Sequence, residues 1–164
     1  MPYTSYMDID RNQPWYLYLS KWQRDLIDVS LDLSQRRQEL LGLKDYSFIV
    51  FPMAKAYEGF LKKILLDLNL ISQATYQGRR FRIGRALNPD IRTHQKDEQW
   101  LYDDIAQRFG EEIARQMWNT WLECRNRVFH FFPDHEQYLT LSEAEAHLQM
   151  MIDTMSAMVE VIEN

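Results

Sequence analysis

Residues 111–130 read EEIARQMWNTWLECRNRVFH, and the spacing within this stretch decides the fold class. Ala114, Trp118, Leu122, Arg125 and Phe129 fall on one line of an α-helix, and Ile113, Met117, Trp121, Cys124 and Val128 fall on the next. Side chains three and four apart share a helix face, so the stretch reads as a helix with a wide apolar stripe. A helical segment from about Asp97 to Phe109 precedes it, separated by Gly110.

The same period recurs on both sides. Pro14 suits the first turn of a helix, where its missing N–H has no intrahelical partner. From Trp15 to about Leu41, Leu19, Trp22, Leu26, Val29 and Leu33 mark one long amphipathic helix, stopped by Gly42. Asp45 or Ser47 can cap a second helix running to about Leu70. Its stripe is Ile49, Met53, Ala56, Phe60, Ile64 and Leu68, thickened by Tyr57, Leu61 and Leu65, with Pro52 in its first turns. Residues 71–96 are irregular, with room for one short helix near Ile83–Leu87. Phe132-Pro133-Asp134 reads as a turn. Ser142 and Glu145 have the spacing of a capping box opening a last helix to about Glu163, apolar at Leu148, Met151, Ile152, Met155, Met158, Val159 and Ile162. No stretch alternates with period two for long enough to be a strand. The expectation is an all-α bundle of four main helices plus a short helix in the 71–96 connection, with residues 1–13 as an N-terminal arm and 14–164 as the helical domain.

The totals agree with one packed core: 164 residues, 46% of them hydrophobic and 26% charged, with few Gly and Pro. A single cysteine, Cys124, excludes an internal disulfide framework and points to a reducing compartment. The N-terminal residues have neither a basic start nor an apolar run of signal-peptide type, and nothing reaches the length of a membrane span. A cytoplasmic protein without membrane contact is expected. The net charge of −5 argues against a general nucleic-acid coat, whose affinity comes from phosphate neutralisation, but leaves room for a small site with its own basic cluster.

The chemistry-bearing residues sit at 125–130, Arg-Asn-Arg-Val-Phe-His. Arg125 interrupts a face that should otherwise be packed, and a buried guanidinium costs several kcal/mol unless it is paired or used. Asn126 and His130 stand one above the other if the helix reaches that far. Arg125 and His130 lie about 140° apart on an ideal helix. They converge on one substrate only if the helix end loosens or a second copy contributes. A plain structural reading stands beside this one: Arg125 pairs with a carboxylate such as Glu58, and His130 caps a helix C-terminus. Arg79, Arg80, Arg82 and Arg85, with Phe81, read either as a grip on a phosphate backbone with one aromatic for a base or as a solvated loop. Lys55, Lys62 and Lys63 read as a solvated face. His94, His135 and His147 share no metal-ligand spacing with one another or with Cys124, so no metal site is expected. Cys124 reads as a core thiol, and the Met-rich face of the last helix as core or dimer surface.

Arg-Asn-Arg-Val-Phe-His resembles the Arg-polar-x-x-x-His signature of the HEPN family of helical ribonucleases and nucleotide-binding domains. Residues 54–63 (AKAYEGFLKK), 81–89 (FRIGRALNP) and 118–126 (WNTWLECRN) look like the corresponding segments in HEPN domains of RNase LS-type toxins. The likeness spans roughly residues 45–163. It implies a HEPN-like bundle and a cofactor-free RNA endonuclease of a toxin–antitoxin or phage-defence system, acting as a homodimer with a composite site. By that resemblance Arg125 and His130 match the catalytic pair, Asn126 the motif's polar position, and Glu58 an acidic residue of the site. Arg79, Arg80, Arg82, Arg85 and Arg127 would contact RNA, and a protein antitoxin would be a partner. The other reading is a catalytically silent HEPN module that binds RNA, nucleotide or a protein. The toxins' additional N-terminal domains have no counterpart in this chain.

Overall fold

The structure, a computed structural model, describes residues 7–36, 39–40 and 42–164. These residues form helices joined by turns, with no strand among them. The buried apolar side chains make one cluster. At its centre lies α3 (Ser47–Asp67), in which Ile49, Met53, Tyr57, Phe60, Leu61, Ile64 and Leu65 are fully buried. On it pack α2 (Lys21–Gln35), α9 (Leu141–Glu163) and the end of α7 (Glu111–Trp121). No helix among the described residues is long and apolar enough to cross a membrane.

The first expected helix is two. Leu19 and Ser20 are extended between α1 (Pro14–Tyr18) and α2, because Ser20 and Gln23 form a capping box: the Ser20 hydroxyl accepts from the Gln23 N–H at 3.3 Å, and Gln23 Oε1 accepts from the Ser20 N–H at 2.8 Å. α2 ends at Gln35; the expected end at Leu41 lies outside the described residues. The face of α2 also differs from the expected one. Trp22 and Val29 are exposed, and the core side carries Gln23, Ile27, Ser30, Leu31 and Ser34. The reason lies in α3. Pro52 has no N–H to give to the helical ladder, and the Met53 N–H beside it donates to Ser30 Oγ at 2.9 Å. Gln23 Nε2 reaches the Ala56 carbonyl at 3.5 Å. Polar partners on α2 are what α3 needs there, so the larger apolar side chains of α2 lie outside.

α3 stops three residues before the expected Leu70. Asn69 is left-handed (φ 57°), the Leu70 N–H donates to the Leu65 carbonyl and the Asn69 N–H to that of Leu66. This is a Schellman stop with Asn in the glycine position. The 71–96 connection holds α4 (Gln73–Gln77), α5 (Ile83–Ala86) and a 3₁₀ turn at Thr93–Gln95. After α6 (Tyr102–Phe109), Gly110 takes φ 96° between α6 and α7. The final capping box is Thr140 with Glu143, two residues before the expected pair. The Met face of α9 is core: Met151, Met155 and Met158 are fully buried.

Candidate functional site

The 111–129 helix is not uniform. Leu122–Asn126 is a π-helical turn, in which the Arg127 N–H donates to the carbonyl of Leu122, five residues back. One wide turn of this kind inserts a residue relative to the α-helix and recurs at functional sites. A short α-helical end, α8 (Arg127–Phe129), follows, and His130 is already extended (φ −100°, ψ 137°). The helix therefore stops one residue short of His130, and the expected stacking of His130 over Asn126 does not form.

The two sides of the π turn differ. Cys124 is fully buried, with its Sγ 3.4 Å from His147 Nδ1. Burial, helped by Glu123, pushes its thiol up to about 12, so it is a core thiol and not a nucleophile. Arg125 was expected on the packed face; its side chain is instead 36% exposed, beside a cleft of about 670 Å³. Ala54 and Gly59 of α3 line the cleft, and the bare Gly59 also lets α2 come close, since a Cβ there would lie 3.0 Å from Gln23 Nε2.

Glu58 Oε2 accepts an ion pair from Arg125 Nε at 3.3 Å, and its Oε1 lies 3.5 Å from Lys62 Nζ. The guanidinium also sits 5.7 Å from the Trp121 ring centroid, within cation–π range. One carboxylate thus stands between two cations, and Arg125 is steered from two directions. Lys55 lines the same cleft, its ammonium 5.1 Å from the ring of Trp22. Two of the three lysines read as a solvated face therefore belong to the site; the third, Lys63, pairs with Asp67 at 2.6 Å. Trp22, Phe51 and Phe129 supply aromatic lining, with Phe51 and Phe129 edge to face at 5.4 Å. The signal for Lys55 and Lys62 was in the spacing: with Glu58 they recur at 55, 58 and 62, one line of α3.

His130 does not line this cleft. It is exposed at the start of an open segment, its ring 6.5 Å from Phe132, and Phe131 beside it is 90% exposed. The segment is held at its far end. The Leu139 N–H donates to Asp45 Oδ1 at 3.1 Å, and the Tyr46 N–H to the Leu139 carbonyl at 2.9 Å. Burial alone would raise the Asp45 carboxyl, but hydrogen bonds from Ser47 and Leu139 outweigh it and leave the group below its ordinary value.

The other expected contacts are scattered. Asn126 is half-buried beside Arg125 in sequence, and Arg127 pairs with Glu123. Arg85 is held by Asp97 at 2.6 Å and by the Gln95 carbonyl. Arg79, Arg80 and Arg82 are exposed, and among the described residues their side chains have no hydrogen-bond or ion-pair partner. Phe81, expected as a stacking surface, is buried; together with Ile83, Ala86 and Leu87 it roots the loop in the core. Gly84 presses on Trp121, and a Cβ there would lie 2.2 Å from the indole ring. The basic loop is thereby anchored against the same indole that the Arg125 guanidinium faces. Among the described residues no group of three His, Cys, Asp or Glu side chains is placed to hold a metal ion. No family model, no curated protein and no solved structure matches the chain.

Proposed function

We propose that the chain is a HEPN-type RNA endonuclease that needs no metal, most simply the toxin of a toxin–antitoxin or phage-defence pair checked by a protein antitoxin. The observation that carries this reading is Arg125: a guanidinium aimed by Glu58 and Trp121, open to a cationic cleft, five residues before an exposed imidazole. In the reaction a ribose 2′-OH attacks the adjacent phosphorus, the P–O5′ bond breaks, and the products are a 2′,3′-cyclic phosphate and a 5′-OH. An imidazole takes the 2′-OH proton and an imidazolium returns one to the leaving oxygen. Arg125 holds two phosphoryl oxygens as charge develops, Asn126 orients phosphate or imidazole, and Glu58 is a positioning residue for Arg125.

His130 and Arg125 do not share a cleft within one chain, so the reading requires a homodimer in which the partner's imidazole completes the site. The bare Phe131 beside His130 is apolar surface of the kind that protein contacts cover. The same separation favours the second reading, a catalytically silent HEPN module that binds RNA, nucleotide or a protein.

Expression of the wild-type chain should arrest growth. Purified protein should cleave RNA in excess EDTA, leaving cyclic-phosphate ends. Arg125→Ala and His130→Ala should each lower cleavage by about 100-fold or more with an unchanged circular dichroism spectrum. Loss of cleavage in EDTA, or full activity in His130→Ala, overturns the nuclease assignment. Binding of RNA without cleavage selects the silent module.

A further inference from the structure

Beyond the residues that would do chemistry, we infer that the cleft beside Arg125 is a single-nucleotide subsite for an unpaired RNA strand: Trp22 and Phe51 take the base, and Lys55, Lys62 and Arg125 take the phosphate. The inference rests on the RNA reading above and adds to Arg125 a substrate form and the residues Trp22, Phe51, Lys55 and Lys62.

The cleft joins two features. One is apolar surface in the wrong place for folding. Trp22 is 64% exposed and Phe51 55% exposed, although the core lies one helix face away. Trp22 is nevertheless not free, because Lys55 sits over its ring. An indole held open at a cleft rim offers a flat surface without first having to be ordered. Stacking of a base on such a surface is worth about 1–3 kcal/mol and is indifferent to sequence. The other feature is charge: Lys55, Lys62 and Arg125 against the single carboxylate of Glu58 leave an excess of two positive charges, in a chain whose net charge is −5. The cleft volume of about 670 Å³ falls within the range of small-ligand sites.

The geometry selects an unpaired nucleotide over a duplex. A base can reach the indole face only when it is unstacked from its neighbours, and A-form helices hide their base faces. Glu58 gives the subsite a further property. It bonds the two cations that a phosphate would bond, so an entering phosphate competes with it. Neutralising Glu58 should strengthen binding even where it disturbs the aim of Arg125.

The test uses the full chain and a 2′-O-methyl hexanucleotide, which lacks the attacking hydroxyl and so reports binding without cleavage. Its affinity is followed by the anisotropy of a 5′ fluorophore. Trp22→Ala should weaken binding about tenfold and Trp22→Phe should restore most of that. Lys62→Ala should weaken it and lower its salt dependence, and Glu58→Gln should tighten it severalfold. A hairpin duplex of the same chemistry should bind worse than the single strand. The subsite is overturned if Trp22→Ala, with unchanged helix content, binds within about twofold of wild type, if Glu58→Gln weakens binding, or if the duplex binds as well. Tight, Trp22-dependent binding by a protein that cleaves no RNA would refute the nuclease and leave the subsite standing. Cleavage that is insensitive to Trp22→Ala would do the reverse.

Discussion

Cys124 and Arg125 are consecutive residues of one π turn, yet they live under opposite conditions. The thiol is sealed from water beside His147, its ionisation pushed far above neutral pH. The guanidinium is a third exposed and is met by one carboxylate, one aromatic ring and a cleft. The inner side has the ingredients of a nucleophile and is silenced by dryness. The outer side has water access, fixed charge and room. Proximity of reactive side chains is thus the weaker criterion of a site here, and solvated positive charge with a prearranged orientation is the stronger one.

The difference predicts where substitutions cost stability and where they cost activity. The largest stability effect should come from Gly84→Ala, whose Cβ would overlap the Trp121 ring at 2.2 Å. The indole is stacked on Trp118 with centroids 5.5 Å apart, so a shift to relieve the overlap would cost that contact, and chemical denaturation should show a loss of about 3 kcal/mol. A smaller loss, about 1 kcal/mol, is expected for Tyr57→Phe, which removes the buried hydrogen bond from the Tyr57 hydroxyl to the Met117 carbonyl at 3.0 Å. A loss from Tyr57→Phe as large as that from Gly84→Ala would mean that the close approach of Gly84 to Trp121 is relieved by a small shift of the loop.

The smallest effect is in pH dependence. Burial holds the His147 imidazole below its ordinary value, against the opposing pull of Glu123 and Glu143. The folded chain therefore keeps His147 neutral where the unfolded chain would protonate it. Its contribution is complete above about pH 6.5, the ordinary imidazole value, and drains away as pH falls from there through the depressed folded value. Urea midpoints measured across that window should fall in the wild type and fall less in His147→Gln. An equal slope in both would place the acid sensitivity elsewhere.

α3 and α9 were legible because each buries one continuous apolar line, and a helix so built has one way to face a core. α2 was misread for a physical reason: its buried line carries Gln23, Ser30 and Ser34, which serve polar demands of its neighbours, while Trp22 and Val29 lie in solvent. Hydrophobic period is a good guide only where the partner surface is apolar throughout. Of the site, the Arg125–Glu58 pairing was legible because both residues broke or flanked an apolar stripe. Lys55 and Lys62 were discounted because charge on an exposed helix line is usually just solvated. Phe81 was credited with an outward role because arginines surround it, although an aromatic residue among charges is often the anchor that lets the charges stay outside. The π turn left no mark in residue spacing, since five residues of either helix type look alike in one dimension.

That turn stores one residue. Five residues of π turn wind about as far as four of α-helix, so the chain leaves the turn in nearly the phase an uninterrupted ladder would give it. Deleting one residue between 122 and 126 would restore the ordinary ladder and leave Phe129 against Phe51 and the strand-like exit at His130 in place. Only the side chains inside the turn, Arg125 among them, would be redistributed, so the surplus residue acts on the centre of the constellation and spares its flanks.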